Sequence, residues 1–132
     1  MSKKLTKAIE NYIKLLKSRY AGKIVRAVLF GSAARGEAGR ESDADILIVV
    51  ADSEAKLKDE ISMAAYEVML ENDVVLSPLV MDQTTFDWYR TNGDPFYRNI
   101  RKDGVEIWTK KAGSLLRQGR KAPRASAYSC IS

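Results

Sequence analysis

Short apolar segments alternate with amphipathic helical segments along most of the chain, and this alternation constrains the fold more than any other feature. Residues 3–20 and 53–70 repeat apolar side chains at spacings of three and four residues, which predicts two helices. The segments between and after them are short, apolar and rich in β-branched residues, which predicts buried strands. These strands are residues 23–30, 45–50, 74–81 and 105–109. The order predicts an α/β (α+β) fold, a small mixed sheet of three to four strands packed by helices.

The chain between the last two predicted strands carries local signals for two more short helices. Residues 84–90 have helical spacing, and Asp94 followed by Pro95 is typical of a helix start. Gly104 is typical of the end of that second helix. Pro78, inside the preceding predicted strand, has no amide hydrogen to donate, so we expect that strand at an edge of the sheet or with a bulge.

The residue types that the chain lacks exclude several kinds of catalytic site. The 132 residues include no histidine and one cysteine, Cys130. Histidine-based triads and dyads, histidine-ligated zinc and a disulfide framework are therefore excluded. Chemistry in this chain has to rely on carboxylates, hydroxyls, backbone amides and bound metal ions.

The formal net charge of +5 is unevenly distributed along the chain. Residues 1–26 are basic, residues 41–106 carry fifteen acids against six bases, and the last twenty-one residues carry four bases and no acid. Those last residues are also poor in apolar side chains, which is typical of disorder. We therefore expect one folded domain over residues 1–111 and a basic, disordered tail over residues 112–132.

Membranes and nucleic acids are not the partners that the sequence favours. No apolar run is long enough to span a bilayer, and the first residues lack the apolar core of a signal peptide, so we expect a cytoplasmic protein. No basic patch with interleaved aromatic residues supports base stacking, and we interpret the lysines of the basic first helix as a solvated face. Self-association is left open.

Two aspartates stand at the start of the second predicted strand. Asp43 and Asp45 are two residues apart, so their side chains are expected on the same face of the sheet. Two neighbouring carboxylates repel each other unless a cation lies between them, and oxygen ligands at this spacing suit Mg²⁺ or Mn²⁺. Asp43 and Asp45 are therefore predicted to bind a metal ion.

The loop that precedes these aspartates has the features of a phosphate-binding loop. Gly31 permits close approach of a ligand to the backbone, and Ser32 adds a hydroxyl where a turn or helix would start. Arg35 and Arg40 can reach phosphate oxygens from the same loop. Each residue alone is more often a turn or cap residue, but next to the carboxylate pair they predict a nucleoside triphosphate bound with Mg²⁺.

The spacing of these residues resembles the signature of the DNA polymerase beta-type nucleotidyltransferase superfamily. Gly31-Ser32, ten further residues and Asp43-x-Asp45 match its defining positions, and the chain is most similar to the minimal nucleotidyltransferases over residues 5–110. The resemblance implies a polymerase beta-like fold for the domain over residues 1–111. It also implies two Mg²⁺ ions held by Asp43 and Asp45, and a triphosphate gripped by Gly31 and Ser32.

The superfamily usually has a third acid on a neighbouring strand, and here two alternatives remain open. Asp73 is the only acid at the start of the third predicted strand and is the candidate third catalytic residue. The register that best follows the apolar pattern, however, places Ser77 at that position, which would leave Asp73 as a turn residue.

The resemblance also implies a reaction and a partner. The enzyme would transfer a nucleoside monophosphate, AMP from ATP, to a hydroxyl group. Many minimal nucleotidyltransferases are antitoxins that adenylylate a tyrosine of a HEPN-type toxin, so such a toxin is the expected protein partner. The alternative is a non-catalytic antitoxin, a binding module that neutralises its partner by contact.

Overall fold

The helices and strands agree closely with those expected from the sequence. In the computed structural model of the protein, the described residues are 3–31, 43–109 and 113–114. The predicted elements are all present, and their ends differ from the predicted ones by at most two residues. The elements are α1 Lys3–Tyr20, β1 Ile24–Phe30, β2 Asp43–Val50, α2 Ala55–Asn72, β3 Val75–Asp82, α3 Gln83–Thr91, α4 Pro95–Asp103, β4 Val105–Thr109 and β5 Gly113–Ser114.

The strands form one mixed sheet in the order β3-β2-β1-β4-β5. β2 and β3 run parallel, whereas β1 runs antiparallel to both β2 and β4. The predicted mixed α/β (α+β) sheet is thus confirmed, and β3 lies at an edge, as Pro78 suggested. β5 was not predicted, and it extends the sheet past residue 111, whereas residues 115–132 of the predicted tail lie outside the described residues.

One face of the sheet, the closed face, is covered by the two long helices. Ala44, Ile46 and Ile48 alternate along β2 and share a core with side chains of α1 and α2. The Tyr12 hydroxyl donates a hydrogen bond of 2.7 Å to the carbonyl of Ile61, which ties the helices together. Burial raises the pKa of Tyr12, so its hydroxyl stays protonated and able to donate. None of the helices in the described ranges has the length and apolar character needed to cross a bilayer.

The opposite face, the open face, is covered by the short helices over only part of its area. The cluster beneath α3 and α4 consists of Val28, Leu47, Val49, Met81, Phe86, Tyr97 and Ile100. It lies towards the carboxyl ends of β2 and β3. On the same face of β3, Val75 at the start of the strand is 46% exposed and Leu79 in its middle is 41% exposed. The open face is therefore accessible at the end where β2 and β3 begin.

Aspartate caps fix the starts of both short helices. Asp82 accepts a hydrogen bond of 2.7 Å from the backbone amide of Thr85, and Asp94 accepts one of 2.9 Å from the amide of Phe96. The bond from the Thr85 amide, aided by the nearby Lys58 ammonium, holds the pKa of Asp82 below its ordinary value. The predicted start of α4 at Asp94 and its predicted end at Gly104 are confirmed.

Candidate active site

The ends of three strands meet at one edge of the sheet, which we call the site edge. β1 ends there, and β2 and β3 begin there, because β1 runs antiparallel to β2 and β3 runs parallel to it. The register pairs Phe30 with Asp45 on one side and Asp45 with Ser77 on the other. These three residues form a row across the open face, with Asp45 half-buried at its centre.

Gly31 follows β1 directly and lies against the Asp45 carboxylate. Its backbone φ is +78°, in the left-handed region that favours glycine. A Cβ atom built on Gly31 would collide with Oδ2 of Asp45 and would lie 3.3 Å from its Cγ. The sequence suggested that glycine lets a ligand approach the backbone. The structure adds that glycine also leaves room for the carboxylate of Asp45.

The remaining predicted ligands of metal and phosphate are described only in part. Asp43 is the first residue of β2 and pairs with Val75 in the register, but its side chain lies outside the described part of the structure. Ser32, Arg35 and Arg40 lie wholly outside the described residues. Their roles therefore stay predictions.

Asp73 lies at the junction between α2 and β3, two residues before the strand begins. It caps α2 in a left-handed conformation with φ of 52°, and its backbone amide donates a hydrogen bond to the Met69 carbonyl. Its side chain is 95% exposed and lies 3.5 Å from the Lys4 ammonium. These contacts are those of the turn residue that the sequence left as an alternative, whereas its predicted catalytic role is not tested by them.

Ser77, and not an acid, lies opposite Asp45 on β3. Ser77 is exposed, as are its neighbours on the same face, Val75 and Leu79. The intervening Leu76 points into the closed face and is buried. Sequence reasoning identified Ser77 but missed Val75 and Leu79, although two apolar residues flanking an exposed serine with a period of two were a visible signal.

An aromatic cluster lines the β1 side of the site edge. The ring of Phe30 contacts that of Phe96 edge to face, with centroids 5.7 Å apart, and Phe96 contacts Tyr89 at 5.4 Å. Trp88 continues the cluster at 5.2 Å from Tyr89 and is exposed. Phe96 lies in a segment for which the sequence predicted a helix but no functional role. Its contact with Phe30, which pairs with Asp45 in the register, places that segment on the β1 side of the site edge.

The donor groups at the site edge fit a hard divalent cation. Asp45 is half-buried and opens onto the accessible end of the sheet, and Asp43 is two residues away on the same strand. Carboxylate oxygens of this kind suit Mg²⁺, which keeps several waters and substrate phosphates in its shell. Among the described side chains, no three acidic or cysteine residues come together as a metal cluster.

Comparison with known proteins identifies the family. Residues 9–108 match the family model described as a nucleotidyltransferase domain. A protein of Methanocaldococcus jannaschii, named provisionally as a protein adenylyltransferase, is 36% identical over 102 residues, which are 77% of this chain and 96% of that relative. The range matched by the family model includes Gly31, Asp43 and Asp45 at the site edge.

Solved structures agree on the fold. A Sulfolobus solfataricus protein, described provisionally as a nucleotidyltransferase, superposes with a TM-score of 0.58 at 22% identity over 85% of this chain and 86% of that one. A toxin–antitoxin structure determined with AMP-PNP superposes with a TM-score of 0.51 at 21% identity over 92% and 88%. At these identities the likeness concerns the fold alone.

The family match covers most of the chain and includes the candidate site, so the predicted family is confirmed. Membership implies a nucleoside triphosphate as a substrate and a divalent metal ion in the reaction. The chain therefore belongs to the nucleotidyltransferase-domain family and has the polymerase beta-like fold.

Proposed function

We propose that the protein transfers AMP from ATP, in the presence of Mg²⁺, to a hydroxyl group of a partner protein. The observation that carries this proposal is the contact between the Gly31 backbone and the Asp45 carboxylate at the site edge. It brings the start of the predicted phosphate-binding loop directly beside a predicted metal ligand. Nucleotidyl transfer needs these two groups together, because both hold the same triphosphate.

Each predicted residue has a distinct task in this proposal. Gly31 and Ser32 hold the β- and γ-phosphates through the backbone and a hydroxyl, and Arg35 and Arg40 neutralise phosphate oxygens from the loop. Asp43 and Asp45 would hold two Mg²⁺ ions. When bound, the ions would neutralise the triphosphate and favour loss of the acceptor's proton.

The bonds that form and break follow from the substrates. The acceptor oxygen forms a bond to the α-phosphorus of ATP. The bond from that phosphorus to the bridging oxygen of the β-phosphate breaks, and its electron pair leaves with pyrophosphate. The chain positions the reacting groups and stabilises charge, which is the main contribution of proteins to this kind of transfer.

The acceptor in this proposal is a tyrosine of a HEPN-type toxin, which makes the protein a cytoplasmic antitoxin. Two findings support a protein acceptor: the name of the Methanocaldococcus jannaschii relative, and the similarity of the fold to a chain of a toxin–antitoxin structure. The proposal assigns the transfer to a domain over residues 1–111 and leaves the basic tail over residues 112–132 outside it.

Transfer of AMP to the toxin is the experiment that tests the proposal. The protein is incubated with ATP, Mg²⁺ and the HEPN-type protein encoded next to it, and the mass of the toxin is measured by intact-protein mass spectrometry. We expect the toxin to gain the mass of AMP with wild type and with Asp59→Asn, an exposed acid on α2. Asp45→Asn is expected to abolish the gain. Equal modification by Asp45→Asn would refute the proposal.

The non-catalytic antitoxin stays the second candidate because Ser77, and not an acid, lies opposite Asp45. A contact inhibitor needs neither ATP nor carboxylates. In the absence of nucleotide, it would therefore neutralise the toxin equally well as wild type and as Asp45→Asn. Neutralisation that requires both ATP and Asp45 favours the enzyme instead.

A further inference from the structure

Exposed apolar side chains are concentrated on the outer face of α2, away from the sheet. Three of the six large apolar side chains that the described residues expose lie there. They are Met63, Tyr66 and Leu70, which are 61%, 57% and 88% exposed. Spacings of three and four residues place them in one row along the helix, which we call the α2 stripe. A cluster of this kind marks an interaction surface, whereas scattered exposed apolar residues need no explanation.

Acidic side chains flank the α2 stripe without stabilising the helix itself. The exposed acids of α2 are Asp59, Glu60, Glu67 and Glu71, and no basic residue follows Lys58 in the helix. The last turn of a helix favours cations, so Glu71 opposes the helix dipole. Glu60 and Glu71 form no ion pair with another described residue. Their placement therefore indicates a basic partner surface outside the monomer.

The neighbouring helix α1 has the opposite charge. Glu10 is its only acid, and its exposed bases are Lys3, Lys4, Lys7, Lys14, Lys17 and Arg19. Lys7 and Lys14 lie two turns apart on its outer face and form no ion pair within the described part of the chain. Two hydrogen bonds from Arg19 to Glu67 hold α1 and α2 side by side on the closed face. The outer surface of this helical layer is thus basic on one half, and acidic with an apolar row on the other.

A second copy of the chain offers the surface that this layer needs. A two-fold axis along the groove between the helices places α1 of each copy over α2 of the other, so one contact is made twice. Lysine stems can cover apolar side chains while their ammonium groups reach acids, and an ammonium over Tyr66 gains a cation–π contact. Both helices have 18 residues, which makes them about 27 Å long. The paired layers therefore bury about 1,000 Å² in total, which is the lower limit for a specific interface.

We propose that the protein forms a homodimer through its closed-face helices, with α1 of each copy lying on the α2 stripe of the other. The open face lies on the other side of the sheet, so Asp45 stays accessible in both copies. The dimer goes beyond the function proposed above and does not depend on it. Because the interface is small and partly electrostatic, its Kd should be micromolar and should rise with salt concentration.

Sedimentation of the full chain in the analytical ultracentrifuge tests the dimer. From submicromolar to high micromolar concentration, we expect the mass to rise from 14.8 kDa towards twice that value. Leu70→Glu adds a like charge to the acidic half of the layer, so it should raise the Kd of the dimer at least about tenfold. Leu79→Glu makes the same change at an exposed position of the open face, and this matched control should keep the wild-type Kd.

An exchange of charges tests which helices meet. One variant carries Lys7→Glu and Lys14→Glu on α1, and the other carries Glu60→Lys and Glu71→Lys on α2. Each variant alone brings like charges together in both contacts, so each should dimerise at least about tenfold more weakly than wild type. An equal mixture brings opposite charges together in both contacts, and its Kd should return to within about tenfold of wild type.

Three results would overturn the dimer as proposed. A wild type that is monomeric at every concentration leaves the α2 stripe to another protein or to residues 115–132 of the same chain. A dimer that Leu70→Glu and Leu79→Glu weaken equally has its interface elsewhere. If the α1 variant alone dimerises as strongly as wild type, or the mixed variants do not associate, then α1 of one copy does not contact α2 of the other.

Discussion

The two faces of the sheet differ most along β2, where neighbouring residues serve opposite purposes. On the closed face, Ala44 and Ile46 are buried from the beginning of the strand, because α1 and α2 extend over the site edge. On the open face, Asp45 is half-exposed, and burial begins only at Leu47, under α3 and α4. One strand thus carries core side chains on one face and the candidate site at one end of the other.

This difference explains how a small domain can leave the Asp45 carboxylate accessible without losing its core. The closed face holds the larger cluster of buried side chains, and each fully buried aliphatic residue contributes about 1.5–3 kcal/mol. The capped start of α3 anchors it at the far end of β3, and the start of α4 packs on the β1 side through Phe96 and Phe30. The part of the site edge where β3 begins therefore stays uncovered. Substitutions on the two faces should therefore affect different properties.

Asp45→Asn should have the largest effect of these substitutions. It should lower the rate of AMP transfer and leave the stability of the fold unchanged. Loss of one charge that stabilises the transition state costs about 100- to 1000-fold, or about 3–4 kcal/mol. The transition temperature should stay close to that of wild type, because the half-exposed side chain keeps its shape. Rates of AMP transfer and thermal unfolding of the same samples measure both. A large fall in the transition temperature would contradict the conclusion that the open face affects transfer and the closed face affects stability.

Ile46→Ala, the adjacent residue on the closed face, should have the reverse effect. Truncating a fully buried isoleucine is expected to lower the free energy of unfolding by about 3 kcal/mol, because it leaves a cavity. The rate of transfer per folded molecule should remain within a few-fold of wild type. Urea unfolding and activity well below the transition midpoint test this. Loss of transfer comparable to that of Asp45→Asn would mean that the two faces are not independent.

Gly31→Ala should disturb both properties, because the residue joins the backbone to the site. A left-handed alanine costs about 1–2 kcal/mol of stability, and the new Cβ has to displace the Asp45 carboxylate. Gly93→Ala is the matched control, since Gly93 has φ of +58° but open space around its Cβ position. We expect similar unfolding energies for both variants and a clear loss of transfer for Gly31→Ala only. Equal transfer rates would show that the contact with Asp45 is unimportant.

The elements of the fold could be predicted because their signals are local. The helical period over residues 3–20, the Asp94-Pro95 start and the effect of Pro78 each depend on a few neighbouring residues. β5 escaped prediction because two residues, Gly113 and Ser114, are too few to show any period. These two residues form a strand only by pairing with β4, because they carry no strand pattern of their own.

The candidate site could be predicted only as far as its linear motif extends. Gly31 and Asp45 stand out by spacing, but their contact arises from the antiparallel register of β1 and β2, which no local pattern encodes. The packing of Phe96 on Phe30 joins distant segments, so it is invisible in the sequence. Ser77 could be aligned with Asp45 only through the alternation of apolar residues, and the parallel register bears this out.

Asp82→Ala should lower stability by about 1 kcal/mol through loss of the cap of α3. The backbone amide of Thr85 lowers the pKa of Asp82 in the folded protein, so the ionised carboxylate stabilises the fold at pH values above the unfolded pKa, about 3.9. As the pH falls through the lower folded pKa, this contribution is lost. The difference in unfolding free energy between wild type and variant should thus shrink from about pH 4 downwards. A difference that stays constant down to pH 2 would contradict the capping role.

Asp73→Asn should have the smallest effect on stability and decides between the two alternatives for this residue. Asparagine tolerates the left-handed conformation, and the exposed ion pair with Lys4 is worth about 0–1 kcal/mol, so the fold should be unchanged. If Asp73 is the third catalytic acid, transfer should fall towards the level of Asp45→Asn. Because Ser77 lies opposite Asp45 and Asp73 precedes the strand, we expect transfer within about twofold of wild type, as for a surface charge. Parallel transfer assays on Asp73→Asn and Lys4→Gln separate the roles, since loss of the ion pair alone affects both variants equally.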